Sequence, residues 1–285
     1  MKPLNNLFPI SQLPVAEWVD LAVQWIISTF AGLFNFITVY GSMFMDAIRT
    51  ILAFLPPFAF ILLVAVIAYF ARKRTWGLPV FTIIGLGYIL NQGLWSQLID
   101  TIALITIASV VTIIIGIPLG ILAAKSSVAN TIIQPVLDFM QTMPAFVYLI
   151  PAVAFFGIGM VPGIFASFVY AIAPVSRMTN LGIREIDPEL IEAAESFGST
   201  PNQRLFKVEL PLAKNTIFAG INQTVMLTLS MVVIASMIGA PGLGMNVLTA
   251  LQQADVGQGF VAGLAIVILA IIVDRLTQSL SDDKR

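Results

Sequence analysis

Polar residues recur along the first fifty positions at the spacing of a single helix face. Neighbouring members of this polar set are three, four or seven residues apart, which is typical of an amphipathic helix. The set consists of Glu17, Asp20, Gln24, Ser28, Asn35, Thr38, Ser42, Asp46 and Arg49. Because a helix of this kind lies in the membrane interface, residues 17–49 are predicted to be interfacial. The alternative is a spanning helix whose polar face meets a protein partner.

Seven long apolar stretches follow this helix. Each reaches or nearly reaches the length of about 20 residues that a helix needs to cross a bilayer. The predicted spans are 51–70, 76–95, 99–124, 132–156, 162–183, 212–238 and 257–280. Proline and glycine inside several of them are compatible with bilayer helices, whose neighbours satisfy the freed backbone groups. Gly116 and Gly120, four residues apart, are interpreted as a close-packing surface.

Composition supports an all-α membrane protein. Hydrophobic residues make up 58% of the 285 residues and charged residues 10%, and the mean hydropathy is +0.96. The absence of Cys and His excludes disulfides, thiolate nucleophiles, histidine bases and cysteine-bound metals, so no catalytic residue and no metal site are expected. A net charge of −1 gives no indication of nucleic-acid binding. Residues 1–16 lack the pattern of a cleaved signal peptide.

The basic residues predict an orientation. Alternating the seven spans places twelve of the 14 basic residues on one side of the membrane and two on the other. The twelve are Arg72, Lys73, Arg74, Lys125, Arg177, Arg184, Arg204, Lys207, Lys214, Arg275, Lys284 and Arg285. The two are Lys2 and Arg49. Because the basic side of a membrane protein is cytoplasmic, the N-terminus is predicted outside and the C-terminus in the cytoplasm.

The charged segment between the fifth and sixth predicted spans has the start and stop signals of two short helices. Asp187 and Pro188 are typical of a helix start, and Gly198 is typical of a helix end. Thr200 and Gln203 have the spacing of a capping box that starts a second helix. An ordinary cytoplasmic loop does not need such definition, because water satisfies its backbone. We therefore expect a docking element for a cytoplasmic protein.

The same segment resembles the EAA signature of permease subunits of bacterial ABC importers. The matching residues are Glu192, Ala193, Ala194, Gly198, Leu210 and Pro211. Segments 138–144, 146–151, 207–212, 219–224 and 229–239 are similar to the osmoprotectant branch of this family, which includes the glycine betaine and proline permeases. The resemblance covers about residues 95–280. One departure is Ala173-Pro174-Val175, where two adjacent prolines are expected, so the end of this span stays open.

The resemblance implies a type I importer permease in a bacterial plasma membrane. Its expected partners are a second copy of the chain, two cytoplasmic ATPase subunits and a separate extracytoplasmic binding protein. The sequence has no GxxxxGK[ST] motif, so ATP and Mg are expected to be bound by the partner ATPase. The expected divisions are a tail and interfacial helix at 1–50, two peripheral spans at 51–98, and a permease core at 99–285 with a coupling loop at 187–211.

Two residue sets are candidates for the substrate pathway. The sixth span places Asn222, Met226, Ser230, Val233 and Met237 on one face, which suits brief contact with a small zwitterion. Near the broken start of the fourth span lie Thr142, Met143, Phe146 and Tyr148, whose aromatic rings could attract a quaternary ammonium. Helix packing is the alternative for both sets.

Three alternatives to a glycine betaine importer remain at this point. Few charges fall within the spans, with Asp100 and Asp138 placed near span starts, which disfavours an ion-coupled secondary transporter. A scaffold without a transport role is disfavoured by the capped cytoplasmic helices. A permease for another small zwitterion or quaternary amine stays open, because glycine betaine follows from similarity alone. Proline betaine, carnitine, choline and proline are therefore candidate substrates as well.

Overall fold

The computed structural model describes residues 13–71 and 75–281, which are helical and contain no strand. The helices are α1 (Val15–Phe54), α2 (Pro57–Ala71), α3 (Gly77–Asn91), α4 (Trp95–Lys125), α5 (Ser127–Thr142), α6 (Leu149–Phe156), α7 (Met160–Arg184), α8 (Pro188–Ser196), α9 (Pro201–Arg204), α10 (Leu210–Ser236), α11 (Leu243–Gln252) and α12 (Val256–Ser281). A 3₁₀ turn precedes α6 at Ala145–Tyr148, and a π-helical turn precedes α10 at Leu205–Glu209. The signal-peptide expectation for residues 1–16 and the basic residues 2, 72–74 and 284–285 lie wholly or partly outside the described residues.

Among the described residues, five helical segments are long and apolar enough to span a membrane: α1, α4, α7, the segment Pro201–Ser236 and α12. They include α1, which was predicted to be interfacial. The predicted spans 51–70 and 132–156 differ from the structure. Helix α1 extends to Phe54, because Leu55 is held in an extended conformation before Pro56, so the first predicted span shortens to α2. The predicted span 132–156 is not one straight helix. The chain bends by 107° between α5 and the segment Ala145–Phe156, where Met143 is extended before Pro144. Counted as one span, this bent pair would be a sixth.

Helices α2 and α3 are shorter than the predicted spans. Each has 15 residues, so each is about 22 Å long at 1.5 Å per residue, less than the about 30 Å of the hydrocarbon core. They pack against each other and against α12 at the edge of the molecule.

The centre of the molecule is a bundle of α4, α7 and α10. A Cβ added to Gly120 of α4 would lie 2.5 Å from the backbone oxygen of Ser176 on α7. A Cβ added to Gly220 of α10 would lie 2.7 Å from the Cβ of Met178. The predicted close-packing surface around Gly120 is therefore confirmed. Helix α7 continues through Pro174 to Arg184, which answers the question of where this span ends.

Hydroxyl groups connect these central helices. The hydroxyl of Ser176 donates to the backbone oxygen of Gly116 at 3.0 Å, which joins α7 to α4. The hydroxyl of Thr224 on α10 donates to the backbone oxygen of Ala171 on α7, also at 3.0 Å. Buried polar groups in a bilayer helix need partners within the protein, and these contacts provide them.

One end of the bundle contains a helix that the sequence analysis did not predict. Helix α11 lies between α10 and α12, and the backbone N–H of Leu243 at its start donates to the hydroxyl of Thr101 on α4 at 2.8 Å. The turn after α10 is joined to the turn before α7, because the N–H of Gly159 donates to the backbone oxygen of Ile238 at 2.9 Å. The opposite end of the bundle holds α8, α9 and the π-helical turn.

Helix α1 crosses the end of the bundle that contains α11. Phe34 stacks on Phe155 at the end of α6, with ring centroids 4.9 Å apart. Gly41 lies against Val161 at the start of α7, and the Nε of Arg49 is 2.7 Å from the Oδ1 of Asp100 near the start of α4. The ends of three different helices thus meet α1 over 15 residues, or about 22 Å.

Candidate functional site

The coupling loop, residues 187–211, has the local structure that its sequence predicts. The carboxylate of Asp187 accepts a hydrogen bond from the backbone N–H of Glu189 at 3.0 Å and caps α8. Gly198 ends that helix with a φ of +76°, in the left-handed region that favours glycine. Thr200 and Gln203 form the complete capping box of α9, with both side chains bonded to backbone N–H groups.

The six residues of the EAA signature fall into two groups. Glu192, Ala193 and Gly198 are exposed on and after α8, and Ala194 is half-buried. Leu210 and Pro211 lie at the start of α10, where Leu210 packs against a small apolar cluster that contains Ile183, Ala213 and Ile217. The first group is therefore accessible at the surface of the loop, and the second group joins the loop to the membrane helix.

A π-helical turn precedes Pro211, and the sequence analysis did not predict it. The N–H of Leu210 donates to the carbonyl of Leu205, five residues earlier, instead of to the residue four positions back. Proline has no N–H, and its ring clashes with the carbonyl four residues before it in an α-helix. A wider turn just before Pro211 reduces that conflict. Pro211 was therefore the feature of the sequence from which the π-helical turn could have been predicted. Single π turns inside longer helices occur frequently at functional sites.

A chain of four charged residues connects α8 to the membrane helices, and the sequence analysis missed it too. Glu209 on the π turn has only 2% of its side chain exposed. Its carboxylate pairs with Lys125 at the end of α4 and with Arg204 of α9, whose Nε is 3.0 Å from Oε1 of Glu209. Arg204 also pairs with Glu195 of α8. The alternating signs of these four side chains leave the group with no net charge.

A cavity of about 340 Å³ lies beneath α8. Lys125, Arg184, Glu192, Arg204 and Glu209 are among the residues that line it. No residue of α8 is buried, although Leu190 and Ile191 are apolar. The position of α8 therefore depends less on apolar packing than on its connections through the ion chain and the adjoining turns.

The pathway candidates of the fourth predicted span lie at the 107° bend between α5 and α6. Thr142 and Phe146 are exposed, and Met143 is half-buried. Tyr148 is buried, and its hydroxyl donates to the backbone oxygen of Met140. The structure therefore leaves Phe146 as the accessible aromatic ring of this set.

An ion pair lies beside this bend. Arg177 of α7 pairs with Asp138 and donates to the Oε1 of Gln141, both on α5. Asp138 is the twelfth residue of α5, so its placement near a helix start was wrong, because α5 already begins at Ser127. The pair gives each charge an opposite partner, which a charge within a membrane helix requires.

The pathway candidates of the sixth predicted span face two directions. Asn222 donates to the Oδ1 of Asp274 at 3.1 Å and accepts a hydrogen bond from Thr277, both on α12. Ser230 and Met237 are exposed, whereas Met226 and Val233 are half-buried. At 100° per residue the whole set covers an arc of about 80°, wide enough to include one edge packed on α12 and another edge that is free.

Known proteins resemble this chain over most of its length. Residues 116–285 match the family described as binding-protein-dependent transport system inner membrane component. The glycine betaine/carnitine transport permease protein GbuB of Listeria monocytogenes is 53% identical over 272 residues, which is 95% of this chain and 96% of that protein. The glycine betaine transport system permease protein OpuAB of Bacillus subtilis is 47% identical, with 97% of each chain covered.

Two further comparisons concern a longer relative and the fold. The glycine betaine/proline betaine transport system permease protein ProW of Escherichia coli is 46% identical over 96% of this chain and 77% of that protein. A chain of the inward-facing MetNI methionine ABC transporter matches 68% of this chain and 95% of its own length, with a TM-score of 0.60 and 21% identity. This likeness establishes the fold, and the prediction of an all-α membrane protein with an ABC permease core is confirmed.

Proposed function

The chain belongs to the family of binding-protein-dependent transport system inner membrane components, and from this membership we propose that it is the permease subunit of an ATP-driven importer of glycine betaine or a related compatible solute. The main support is the similarity to three glycine betaine permeases at 46–53% identity over at least 95% of this chain. The chain is accordingly a multi-pass membrane protein and a transport component.

The proposed complex contains two copies of this chain, two ATPase subunits that bind ATP and Mg, and an extracytoplasmic binding protein. The exposed face of α10 supports the pairing of two copies. Gln223, Ser230 and Met237 follow one another at intervals of seven residues on this face and are exposed. Polar side chains on a spanning helix are costly in lipid, so they favour a position against another helix or a hydrated path. Ser230, Met237 and Phe146 are therefore the proposed contacts for the solute.

The basic residues support a topology with the N-terminus outside and the C-terminus in the cytoplasm, and the contacts of α1 support an interfacial position for this helix. A spanning helix meets its neighbours at successive depths, whereas α1 meets the start of α4, the end of α6 and the start of α7. In the proposed orientation these three ends share the outer side, so α1 lies in the outer interface. Segments 1–50 and 51–98 then form a scaffold around the core at 99–285, and the coupling loop faces the cytoplasm.

Cysteine labelling tests this topology on a chain that has no native Cys. A Ser199→Cys variant should react with a membrane-impermeant thiol reagent only from the cytoplasmic side. A Gln258→Cys variant, at the start of α12, should react only from outside. The reverse pattern at either position contradicts the proposed orientation.

Uptake into vesicles tests the function. The chain, its ATPase and its binding protein are reconstituted, and uptake of labelled glycine betaine is followed with and without ATP. Uptake should require ATP and the binding protein, and an ionophore that collapses ion gradients should not abolish it. Uptake driven by an ion gradient without ATP would instead support a secondary transporter. Competition by proline betaine, carnitine, choline and proline then defines the substrate range.

A further inference from the structure

Helix α8 stands away from the bundle on the proposed cytoplasmic side. It has no buried residue, and the cavity of about 340 Å³ separates it from the ends of α4 and α7. A helix with so little apolar burial gains little positional stability from packing. Any force applied to α8 must therefore reach the membrane helices through its covalent ends or through polar contacts.

The ion chain Glu195–Arg204–Glu209–Lys125 provides such polar contacts. Its outer member, Glu195, lies on α8, and its inner member, Lys125, is the last residue of α4. Glu209 is almost fully buried between two cations, so water screens these interactions much less than it screens a surface pair. Hydrogen bonds between charged groups are also short and roughly twice as strong as neutral ones.

The π-helical turn gives Glu209 this position. Glu209 is the last residue of the turn and directly precedes Leu210, the first residue of α10. The carboxylate is therefore attached to the base of a central helix, while its two partners come from α4 and α9. The ion chain thus joins α8, α9, α10 and α4 within a few side chains.

We propose that the ion chain Glu195–Arg204–Glu209–Lys125 transmits movement of α8 to α4 and α10, with Arg204 and Glu209 as positioning residues for coupling. This inference rests on the proposed function, in which α8 docks on an ATPase subunit. Breaking the chain at Glu209 leaves the exposed surface of α8 unchanged, so the ATPase still binds. Movement of α8 is then no longer matched by movement of the helices, and ATP is hydrolysed without uptake.

The test measures the number of ATP molecules hydrolysed per glycine betaine molecule taken up by vesicles that hold the complete complex. Glu209→Gln keeps the size of the side chain and removes its charge. We expect this ratio to rise by about tenfold, the factor that corresponds to about 1.4 kcal/mol. The matched control is Glu185→Gln, an exposed carboxylate at the end of α7 that makes no ion pair within the described residues. Its ratio should equal that of the unmodified chain.

A second pair of variants separates coupling from simple loss of stability. Lys125→Met combined with Glu209→Gln removes both charges, so neither is left buried without its partner. The double variant should assemble better than Glu209→Gln alone and should remain uncoupled. A merely structural role predicts that coupling returns together with stability. An assembled Glu209→Gln complex with a normal ratio would also overturn the proposal.

Glu195→Gln decides the question if Glu209→Gln does not assemble. Glu195 has 54% of its side chain exposed, so its removal leaves the fold intact, and a smaller rise of about threefold is expected. A normal ratio for Glu195→Gln would then overturn the proposal. Transport by the unmodified chain separates this inference from the proposed function. If the unmodified chain imports no compatible solute, the proposed function is wrong. If it imports normally and the variants keep a normal ratio, only the coupling role of the ion chain is refuted.

Discussion

The central bundle and the coupling loop are held in place by different forces. In the bundle, α4, α7 and α10 approach closely at glycines, and a Cβ at Gly120 or Gly220 would overlap with an atom of α7. In the loop, α8 buries no residue and is connected through charged side chains. Close packing responds to changes in volume, whereas an ion chain responds to changes in charge. Substitutions in the two regions should therefore fail in different ways.

The largest expected effect comes from changing volume in the bundle. Gly120→Leu places a Cβ 2.5 Å from a backbone oxygen, which cannot move away as a flexible side chain could. Overpacking of this kind costs about 1–3 kcal/mol or more, so most of the protein should be lost from the membrane. The measurement is the yield of monodisperse protein and its melting temperature in detergent. Gly87→Ala is the control, because no atom lies within 4 Å of its added Cβ. A normal yield for Gly120→Leu would contradict tight packing here.

A change at Gly198 should abolish coupled uptake while leaving the protein in the membrane. No atom lies within 4 Å of an added Cβ, so Gly198→Asp causes no overlap. It imposes a strain of about 1–2 kcal/mol at a φ of +76°. It also places a negative charge at the C-terminal end of α8, where the helix dipole disfavours it. The measurements are ATPase stoichiometry and coupled uptake.

Gly198→Asn is the matched control for this substitution. Asparagine tolerates the left-handed conformation and adds no charge. Coupled uptake by the Gly198→Asn variant should therefore lie between that of the unmodified chain and that of Gly198→Asp. Normal stoichiometry together with normal uptake in the Gly198→Asp variant would show that the loop does not dock the ATPase.

Loss of one exposed carboxylate should have a milder effect. Glu192→Ala leaves every ion pair of the loop intact, because the side chain of Glu192 belongs to none of them in the described part of the chain. A hydrogen bond to a charged group contributes about 1.5–3 kcal/mol, so affinity for the ATPase should fall by about tenfold or more. Titration of the purified permease with its ATPase measures this affinity. An unchanged affinity would remove Glu192 from the docking surface.

The smallest effect is expected where α1 meets the bundle. Arg49→Gln removes the charge that faces Asp100, whose side chain is only 7% exposed, but the glutamine amide can still donate a hydrogen bond to the carboxylate. Half of the Arg49 side chain is exposed, so the loss should be about 1 kcal/mol. The melting temperature should fall by a few degrees with the ATP-to-solute ratio unchanged. Uncoupled hydrolysis in this variant would mean that α1 takes part in transport rather than supporting the core.

Features that depend on neighbouring residues could be predicted from the sequence. Asp187, Thr200 and Gln203 act within three residues of their partners, so the caps of α8 and α9 follow from local spacing. The close-packing surface at Gly120 follows from spacing along one helix. The burial of Glu209 could not be predicted, because its partner Lys125 is at the end of a helix remote in sequence.

The sharpness of the bend after α5 and the existence of helix α11 could not be predicted, for related reasons. An apolar stretch such as 132–156 has the composition of a span whether or not it is straight, so only its prolines suggested a break. Helix α11 begins at a glycine with a φ of +134° and is positioned by Thr101 on another helix. Hydropathy measures the preference of a segment for lipid, and it does not register contacts between distant parts of the chain.

The uninterrupted helical segment from Pro201 to Ser236 has a mechanical consequence. Its 36 residues include α9, the π turn and α10, and at 1.5 Å per residue they make a lever arm about 54 Å long. The arm beyond the π turn is α10, whose 27 residues are about 40 Å long, so a rotation of about 5° at the turn would displace its far end by about 3.5 Å. That far end is bonded to the turn before α7 through Ile238 and Gly159. A small swing at the coupling loop would thereby become a displacement of a few ångströms at the opposite end of the bundle.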